Sequence, residues 1–137
     1  MRTLTLLFFT ILSAALNAAV FFVELDLPDG VKLYEKHYQE AFALYLSARS
    51  EKVMREVKCD SGRCDILTDA YAIEIDRARK WHEAIGQALH YARCFNRKPA
   101  VAIFDAEKLP QKRREAMEWV CTHYNIDVIY LTRSRLN

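Results

Sequence analysis

The sequence has no internal repeat, no low-complexity tract, no linker-like stretch and almost no excess of charge of one sign. Its 20 lysines and arginines against 18 aspartates and glutamates give a formal net charge of +2. Modules that simply coat nucleic acid are usually more basic, because phosphate contacts supply most of their non-specific affinity. The balance argues against such a module and leaves a nucleic-acid substrate open. A chain of 137 residues with ordinary globular composition predicts one domain.

Two common kinds of site are also missing. The four cysteines do not have the spacing of a zinc site, and no second Cys or His pair accompanies Cys59 and Cys64. The four histidines are scattered, and neither His82 nor His90 has a Ser or Cys partner that would suggest a catalytic triad. Zinc binding and triad chemistry are therefore not expected.

The N-terminus has the layout of a secretory signal peptide. A short basic start containing Arg2 precedes an apolar run over residues 4–15, and Leu16-Asn17-Ala18 offers a cleavage site after Ala18. The run is too short for a comfortable membrane span of about 20 residues. We expect a signal peptide at 1–18 and a single domain at 19–137, which would be periplasmic or secreted and free of the membrane after cleavage. An uncleaved anchor and a buried N-terminal helix are the alternatives.

Export would bring the cysteines into an oxidising compartment, where they can pair. Turn residues separate Cys59 from Cys64 in the segment Cys-Asp-Ser-Gly-Arg-Cys. A short hairpin would place these two sulfurs on facing strands. The sequence therefore predicts a Cys59–Cys64 disulfide.

Hydrophobic periodicity predicts the order α-β-β-β-α-β-α-β. An antiparallel meander followed by β-α-β units gives an α/β (α+β) fold with a mixed sheet covered by helices. The predicted helices are residues 31–48, 76–93 and 110–124, and the predicted strands are residues 52–59, 63–68, 71–75, 100–104 and 126–131.

Carboxylates converge on the hairpin formed by the second and third predicted strands. If its turn is centred on Asp69-Ala70, residues whose numbers sum to 139 face one another, and Asp65 lies opposite Glu74. Strand alternation points Asp76 to the same face and the isoleucines between them to the core. Such like charges repel, and a hard divalent cation such as Mg²⁺ would offset the repulsion.

The following helix brings a cation and two polar groups near these carboxylates. Lys80, Gln87 and Tyr91 fall on one helical stripe, and Lys80 would sit one turn from the carboxylates. A lysine there could stabilise charge on a phosphate or orient water. Asp76 is equally well explained as the N-cap of this helix, and its pairing with Lys80 as an ordinary i,i+4 contact.

These residues carry a resemblance to a known superfamily. Asp65 and Glu74 with a nearby lysine on a β-β-α unit resemble the PD-(D/E)xK nucleases, and Gln87 to Tyr91 matches the QxxxY motif of their RecB-like branch. A group of short exported bacterial nuclease-like proteins of unassigned function is similar over longer segments, namely Glu35-Lys36-His37-Tyr38-Gln39, residues 63–69, residues 72–76 and residues 80–87.

The resemblance implies a restriction-endonuclease-like core with a Mg²⁺ or Mn²⁺ site. Asp65 and Glu74 would bind the metal, with Asp76 or Glu35 contributing. Glu35 would lie at the edge of the site, and Glu40 is the alternative on the same helix. The superfamily's lysine normally stands two residues after the glutamate, a position held here by Asp76.

The same resemblance assigns the remaining roles. Lys80 would act from the helix as the catalytic lysine, and Gln87 and Tyr91 would contact substrate phosphate or the carboxylates. The implied activity is metal-dependent hydrolysis of nucleic acid, DNA more than RNA. A catalytically inactive interaction module with the same core, or a secreted effector, stays open, as does a plain surface role for Asp65 and Glu74 on an exposed hairpin.

Overall fold

The computed structural model describes residues 18–135, which form one six-stranded sheet with three α-helices. In chain order the elements are β1 Val20–Leu25, α1 Glu35–Ser47, β2 Met54–Cys59, β3 Gly62–Leu67, β4 Tyr71–Arg77, α2 Trp81–Phe95, β5 Lys98–Phe104, α3 Gln111–His123 and β6 Asp127–Arg133. Short 3₁₀ turns at Ala78–Lys80 and Ala106–Lys108 precede α2 and α3.

The sheet is mixed, with the strand order β1-β6-β5-β4-β3-β2. Strands β1, β6, β5 and β4 run parallel to one another, β3 is antiparallel to β4, and β2 is antiparallel to β3. The predicted mixed α/β architecture is confirmed, and from α1 onward the observed order is the predicted one. Strand β1 was not predicted.

Helices cover both faces of the sheet. On one face α1 packs Tyr38 and Phe42 against Ile73 and Ile75 of β4, and on the other α2 and α3 pack over β5 and β6. The predicted core stripe of α2 is confirmed, since all of its members are at most 8% exposed: Ala78, Trp81, Ile85, Ala88 and Ala92. No helix within residues 18–135 is long and apolar enough to cross a membrane.

The start of α2 differs from the prediction. Strand β4 continues through Asp76 to Arg77, and the helix begins only at Trp81, after a 3₁₀ turn. Asp76 is therefore a strand residue, and the prediction that it caps α2 was wrong. Its Oδ1 accepts instead from the backbone N–H of Arg77 at 2.8 Å. Helix α2 ends at Phe95, and the next residue, Asn96, adopts the left-handed conformation typical of a helix C-terminus.

The disulfide also differs from the prediction, because Cys59 is bonded to Cys94 of α2. The β2–β3 hairpin turns on two residues, so Cys59 faces Gly62 and Cys64 faces Val57, and the two predicted partners are not opposite each other. Cys64 is fully buried, and its Sγ donates to the carbonyl of Ile66 at 3.2 Å. The bond ties the hairpin to α2 and fits an extracellular or periplasmic protein. The predicted signal peptide lies outside the described residues except for Ala18.

Candidate functional site

Strands β3 and β4 separate at Asp65. The pairs Ile66–Ile73 and Leu67–Ala72 confirm the predicted register, in which paired residue numbers sum to 139. At the next position, Asp65 and Glu74, bonds from backbone N–H groups to side-chain carboxyl groups replace the backbone-to-backbone hydrogen bonds of the ladder. The N–H of Asp65 donates to Glu74 Oε1 at 3.2 Å, and the N–H of Ile75 donates to Asp65 Oδ2 at 2.8 Å. Two carboxyl groups thus fill the opening between the strands.

The carboxyl groups in this opening are largely removed from water. Glu74 is 4% and Asp76 7% exposed, and Asp65 is half-buried. Burial raises the pKa of Glu74 well above its ordinary value, and the charge of Asp65 raises it further. Burial is also the main cause that raises the pKa values of Asp65 and Asp76. The opening therefore holds acidic groups that resist ionisation in the absence of a cation.

Glu35, the first residue of α1, is the fourth member of this acidic group. Partial burial of its carboxyl raises its pKa to about 7, and the charges of Asp65 and Asp76 act in the same direction. The carboxyl of Glu35 therefore lies within electrostatic range of Asp65 and Asp76. Glu35 and Glu40, the alternative on the same helix, are both exposed residues.

Lys80 lies at the mouth of the cluster. Its side chain is 48% exposed, and its Nζ is 3.8 Å from Glu83 Oε2. Its positive charge lowers the pKa values of Glu35 and Asp76 against the larger effect of burial. The ammonium group is therefore within electrostatic range of the acidic cluster and shared with a solvent-facing partner.

The two predicted substrate-binding residues have different surroundings. Gln87 is exposed on α2. Tyr91 is 6% exposed and packs in an apolar cluster with Cys59 and Cys64. Its hydroxyl contacts the β2–β3 hairpin so closely that a Cβ on Gly62 would overlap Tyr91 Oη. Burial raises the pKa of Tyr91, and the charge of Glu74 raises it further, so Tyr91 also lies within range of the acidic cluster.

A buried glutamine supports the opening from α1. Gln39 is 6% exposed, donates from Nε2 to Glu56 Oε1 at 2.9 Å and accepts from Arg55 Nη2 at 2.9 Å. Glu56 has a positive φ of 51°, and the charge of Glu56 raises the pKa of Asp65. No role was predicted for Gln39 or Glu56 from the sequence, although Gln39 is the last residue of the Glu-Lys-His-Tyr-Gln motif on which part of the resemblance rests.

A cavity of about 460 Å³ lies beside Tyr34, the residue before Glu35. Its charged lining residues are Lys32, Arg77, Lys108, Arg133 and Asp105. Two of these cations are paired, Lys108 with Asp105 at 3.0 Å and Arg133 with Asp29 at 2.8 Å. Arg77 and Lys108 also line a neighbouring pocket of about 240 Å³, together with Arg79. Arg77 is close enough to the acidic group to lower the pKa of Glu35. Cationic groups thus flank the carboxyl groups on the side of α1 and β4.

The cluster offers carboxylate oxygens, the type of ligand that hard divalent cations such as Mg²⁺ take. Asp65 and Glu74 each use one carboxylate oxygen for a backbone N–H and have a second oxygen, and Mg²⁺ typically takes one or two carboxylates plus water. Within residues 18–135, Cys59, Asp60 and Cys94 are the one group of three possible ligands with all ligand atoms within 4.8 Å of one another. The two sulfurs of that group are bonded to each other, so they offer no thiolate.

Comparison with known proteins gives one partial similarity. No family model matches the chain, and no solved structure matches it. A KilA-N domain-containing protein of Acanthamoeba polyphaga mimivirus is 35% identical to it over 72 residues, which are 52% of this chain and 19% of the viral protein. The chain thus spans about a fifth of that relative's length. Membership of the PD-(D/E)xK superfamily stays a prediction.

Proposed function

We propose that this protein is a metal-dependent, nuclease-like phosphodiester hydrolase. The observation that carries the proposal is the opening between β3 and β4, where Asp65 and Glu74 occupy the place of backbone ladder bonds. Each carboxyl group thus uses one oxygen for a backbone N–H and keeps a second oxygen that is not held by the backbone. A structural hairpin has no need for such a pair, because directly opposed like charges destabilise a sheet.

Asp65 and Glu74 would hold Mg²⁺ or Mn²⁺, with Asp76 or Glu35 contributing an oxygen. The cation would supply charge stabilisation on the phosphate and a lower pKa for bound water. It would also offset the burial and the mutual repulsion that raise the pKa values of the carboxyl groups. The buried and otherwise costly arrangement of acids is what a bound cation would balance.

Glu35 and Lys80 have the properties needed for the remaining chemistry. A carboxyl with a pKa of about 7 is suited to accept a proton from an attacking water at neutral pH. Lys80 would reach the non-bridging oxygens of the phosphate from the mouth of the cluster. The superfamily has its catalytic lysine on the strand, two residues after the glutamate, and in this chain Asp76 stands at that position. Lys80 would therefore take the role of the catalytic lysine.

The cavity beside Glu35 favours a polyanionic substrate. Lys32 and Arg77 line it, together with Lys108, which is paired with Asp105. Their local positive charge would compensate for the near-zero net charge of the whole chain. The partial similarity to a KilA-N domain-containing protein favours DNA as the nucleic acid, and it carries no information about cleavage. Gln87, which is exposed on α2, would contact the substrate, and the buried Tyr91 would act on the carboxyl groups.

Export is part of the proposal. A disulfide between Cys59 and Cys94 requires an oxidising compartment such as the periplasm or the exterior of the cell. Residues 1–18 would be the signal peptide that directs the chain there.

Cleavage of labelled DNA by the purified exported protein tests the proposal. The wild type is incubated with Mg²⁺, with Mn²⁺ or with a chelator, beside the variants Glu74→Gln, Glu35→Gln and Lys80→Ala. Matched controls are Glu40→Gln, on the same helix as Glu35, and Lys52→Ala, an exposed lysine outside the cluster. We expect metal-dependent cleavage that falls at least about 100-fold in Glu74→Gln, given the usual contribution of charge stabilisation, and stays unchanged in the two controls. Equal activity in all variants would refute the assignment.

A second candidate, an inactive relative that serves as an interaction module, is favoured by Asp76. This buried aspartate stands where the superfamily has its catalytic lysine, and the replacement adds negative charge to the strand. In this case the protein would fold and show no metal-dependent cleavage, whichever of the variants is tested.

A further inference from the structure

The first residue of the predicted mature chain is bound to a buried carboxylate. The backbone nitrogen of Ala19 donates to Asp127 Oδ1 at 2.9 Å, and the N–H of Val128 donates to the carbonyl of Ala19 at 2.9 Å. The side chain of Asp127 is 1% exposed. It opens β6, beside the start of β1, and β6 is separated from β4 by one strand, β5. Ala19 is thus fixed through both its nitrogen and its carbonyl before β1 begins.

We propose that Asp127 is the binding site for a new N-terminus created by proteolysis between Ala18 and Ala19. Hydrolysis by a leader peptidase adds one water across this peptide bond, leaving a carboxylate on Ala18 and an α-ammonium group on Ala19. The amide nitrogen that donates to Asp127 would then be the ammonium nitrogen. A hydrogen bond between charged partners is shorter and roughly twice as strong as a neutral one. Maturation would therefore strengthen the attachment of β1 to β6 without moving any backbone atom.

Three other charged or titratable groups face this site. Lys98 of β5 places Nζ 2.9 Å from Asp127 Oδ1, and Tyr71 of β4 donates its hydroxyl to Asp127 Oδ2 at 2.5 Å. Glu51, in the segment after α1, acts on Tyr71, whose pKa is raised mainly by burial. Lys98 repels the new ammonium, whereas Asp127 and Glu51 attract it. Because Ala19 touches the carboxylate directly, we expect attraction to outweigh repulsion and the pKa of the α-ammonium to rise above its usual value of about 8.

The full precursor, expressed in a bacterium that exports it, tests both parts of the inference. Intact mass of the purified protein gives its N-terminus, which should be Ala19. Unfolding by urea is then measured at pH 7 and pH 9.5 for four chains. The first two are the wild type and a precursor with Gly-Ser inserted after Ala18, which moves the ammonium by up to about 7 Å and retains the Ala19 hydrogen bond. The other two are these same chains with Asp127→Asn.

If the pKa of the α-ammonium is higher in the folded than in the unfolded chain, the ion pair stabilises the folded state. This stabilisation is complete at pH values below the unfolded pKa of about 8, and it is lost as the pH rises through the folded pKa. At pH 7 the equilibrium constant for unfolding should be about three- to tenfold smaller in the wild type than in the insertion variant, and this difference should shrink at pH 9.5. The difference between the chains with and without the insertion should be absent when both carry Asp127→Asn. An N-terminus other than Ala19 would overturn the cleavage site, and equal pH profiles of wild type and insertion variant would overturn the ion pair. Neither outcome bears on the proposed hydrolase, because Asp127 lies outside its acidic cluster.

Discussion

The backbone N–H of Asp65 donates to Oε1 of Glu74 at 3.2 Å, so one member of the acidic pair holds the carboxylate of the other. The reciprocal contact is made through Ile75, whose N–H donates to Asp65 Oδ2. Each carboxyl group is thus bound to the opposite strand. The two strands can separate at this point without leaving these N–H groups unsatisfied, because the side chains take over the ladder.

Ionisation of these acids should destabilise the metal-free protein. The pKa values of Glu35, Asp65 and Glu74 are raised in the folded state, chiefly by burial. Folding then favours the protonated carboxyl groups. Their contribution to stability is complete at pH values below the unfolded pKa values near 4, and it is lost as the pH rises through the folded pKa values. We expect the free energy of unfolding in a chelator, measured with urea, to decrease between pH 5 and pH 8.

The variant Glu74→Gln isolates the contribution of one charge. Glutamine keeps the volume and the acceptor for the N–H of Asp65 but cannot ionise, so the variant should be about 1–2 kcal/mol more stable than wild type at pH 8. The gain should be smaller at pH 5. Glu40→Gln, an exposed change on α1, should stay within about 0.5 kcal/mol at both values. A clear destabilisation by Glu74→Gln at pH 8 would contradict the electrostatic account.

Local chemistry explains what could be predicted from the sequence. The β3–β4 register follows from a turn at Asp69-Ala70 and from strict alternation, both of which are readable within a dozen residues. The core stripe of α2 follows from helical spacing. Because these patterns are local, the sequence alone was enough to predict that Asp65 and Glu74 lie opposite each other.

Tertiary pairing explains what could not be predicted. The partner of Cys59 is 35 residues away, and only the packing of α2 on the hairpin brings Cys94 close. Strand β1 directly follows an apolar leader-like run, which hides its own pattern, and its pairing with β6 spans more than 100 residues.

Removal of the disulfide should lower the free energy of unfolding. Cys94→Ala opens a loop of 35 residues, and loss of such a bond typically costs roughly 2–4 kcal/mol. Urea denaturation of the oxidised wild type, Cys94→Ala and Cys121→Ala measures it, and thiol labelling after unfolding counts free cysteines. We expect two free thiols in the wild type, those of Cys64 and Cys121. Labelling of Cys94 in the oxidised wild type would contradict the observed pairing.

Contact between Tyr91 and Gly62 should make the glycine intolerant of a side chain. A Cβ there would overlap Tyr91 Oη, and the buried ring has little room to move. Gly62→Ala should therefore lower the free energy of unfolding by about 1–3 kcal/mol, as overpacking usually does. Adding Tyr91→Phe removes the overlapping oxygen and should restore part of the loss. Gly86→Ala, where a Cβ meets open space, is the matched control. Additive effects of Gly62→Ala and Tyr91→Phe would exclude the proposed contact.

Calorimetric titration of the protein with Mn²⁺ tests the central claim most directly. At pH 8 we expect binding at one acidic site per chain, with affinity at least about tenfold weaker in Glu74→Gln and unchanged in Glu40→Gln. Protons compete for the same oxygens, and the pKa of Glu35 is about 7, so binding should also weaken from pH 8 to pH 6. A folded wild type that takes up no Mn²⁺, or binds it as tightly after Glu74→Gln, would contradict the account.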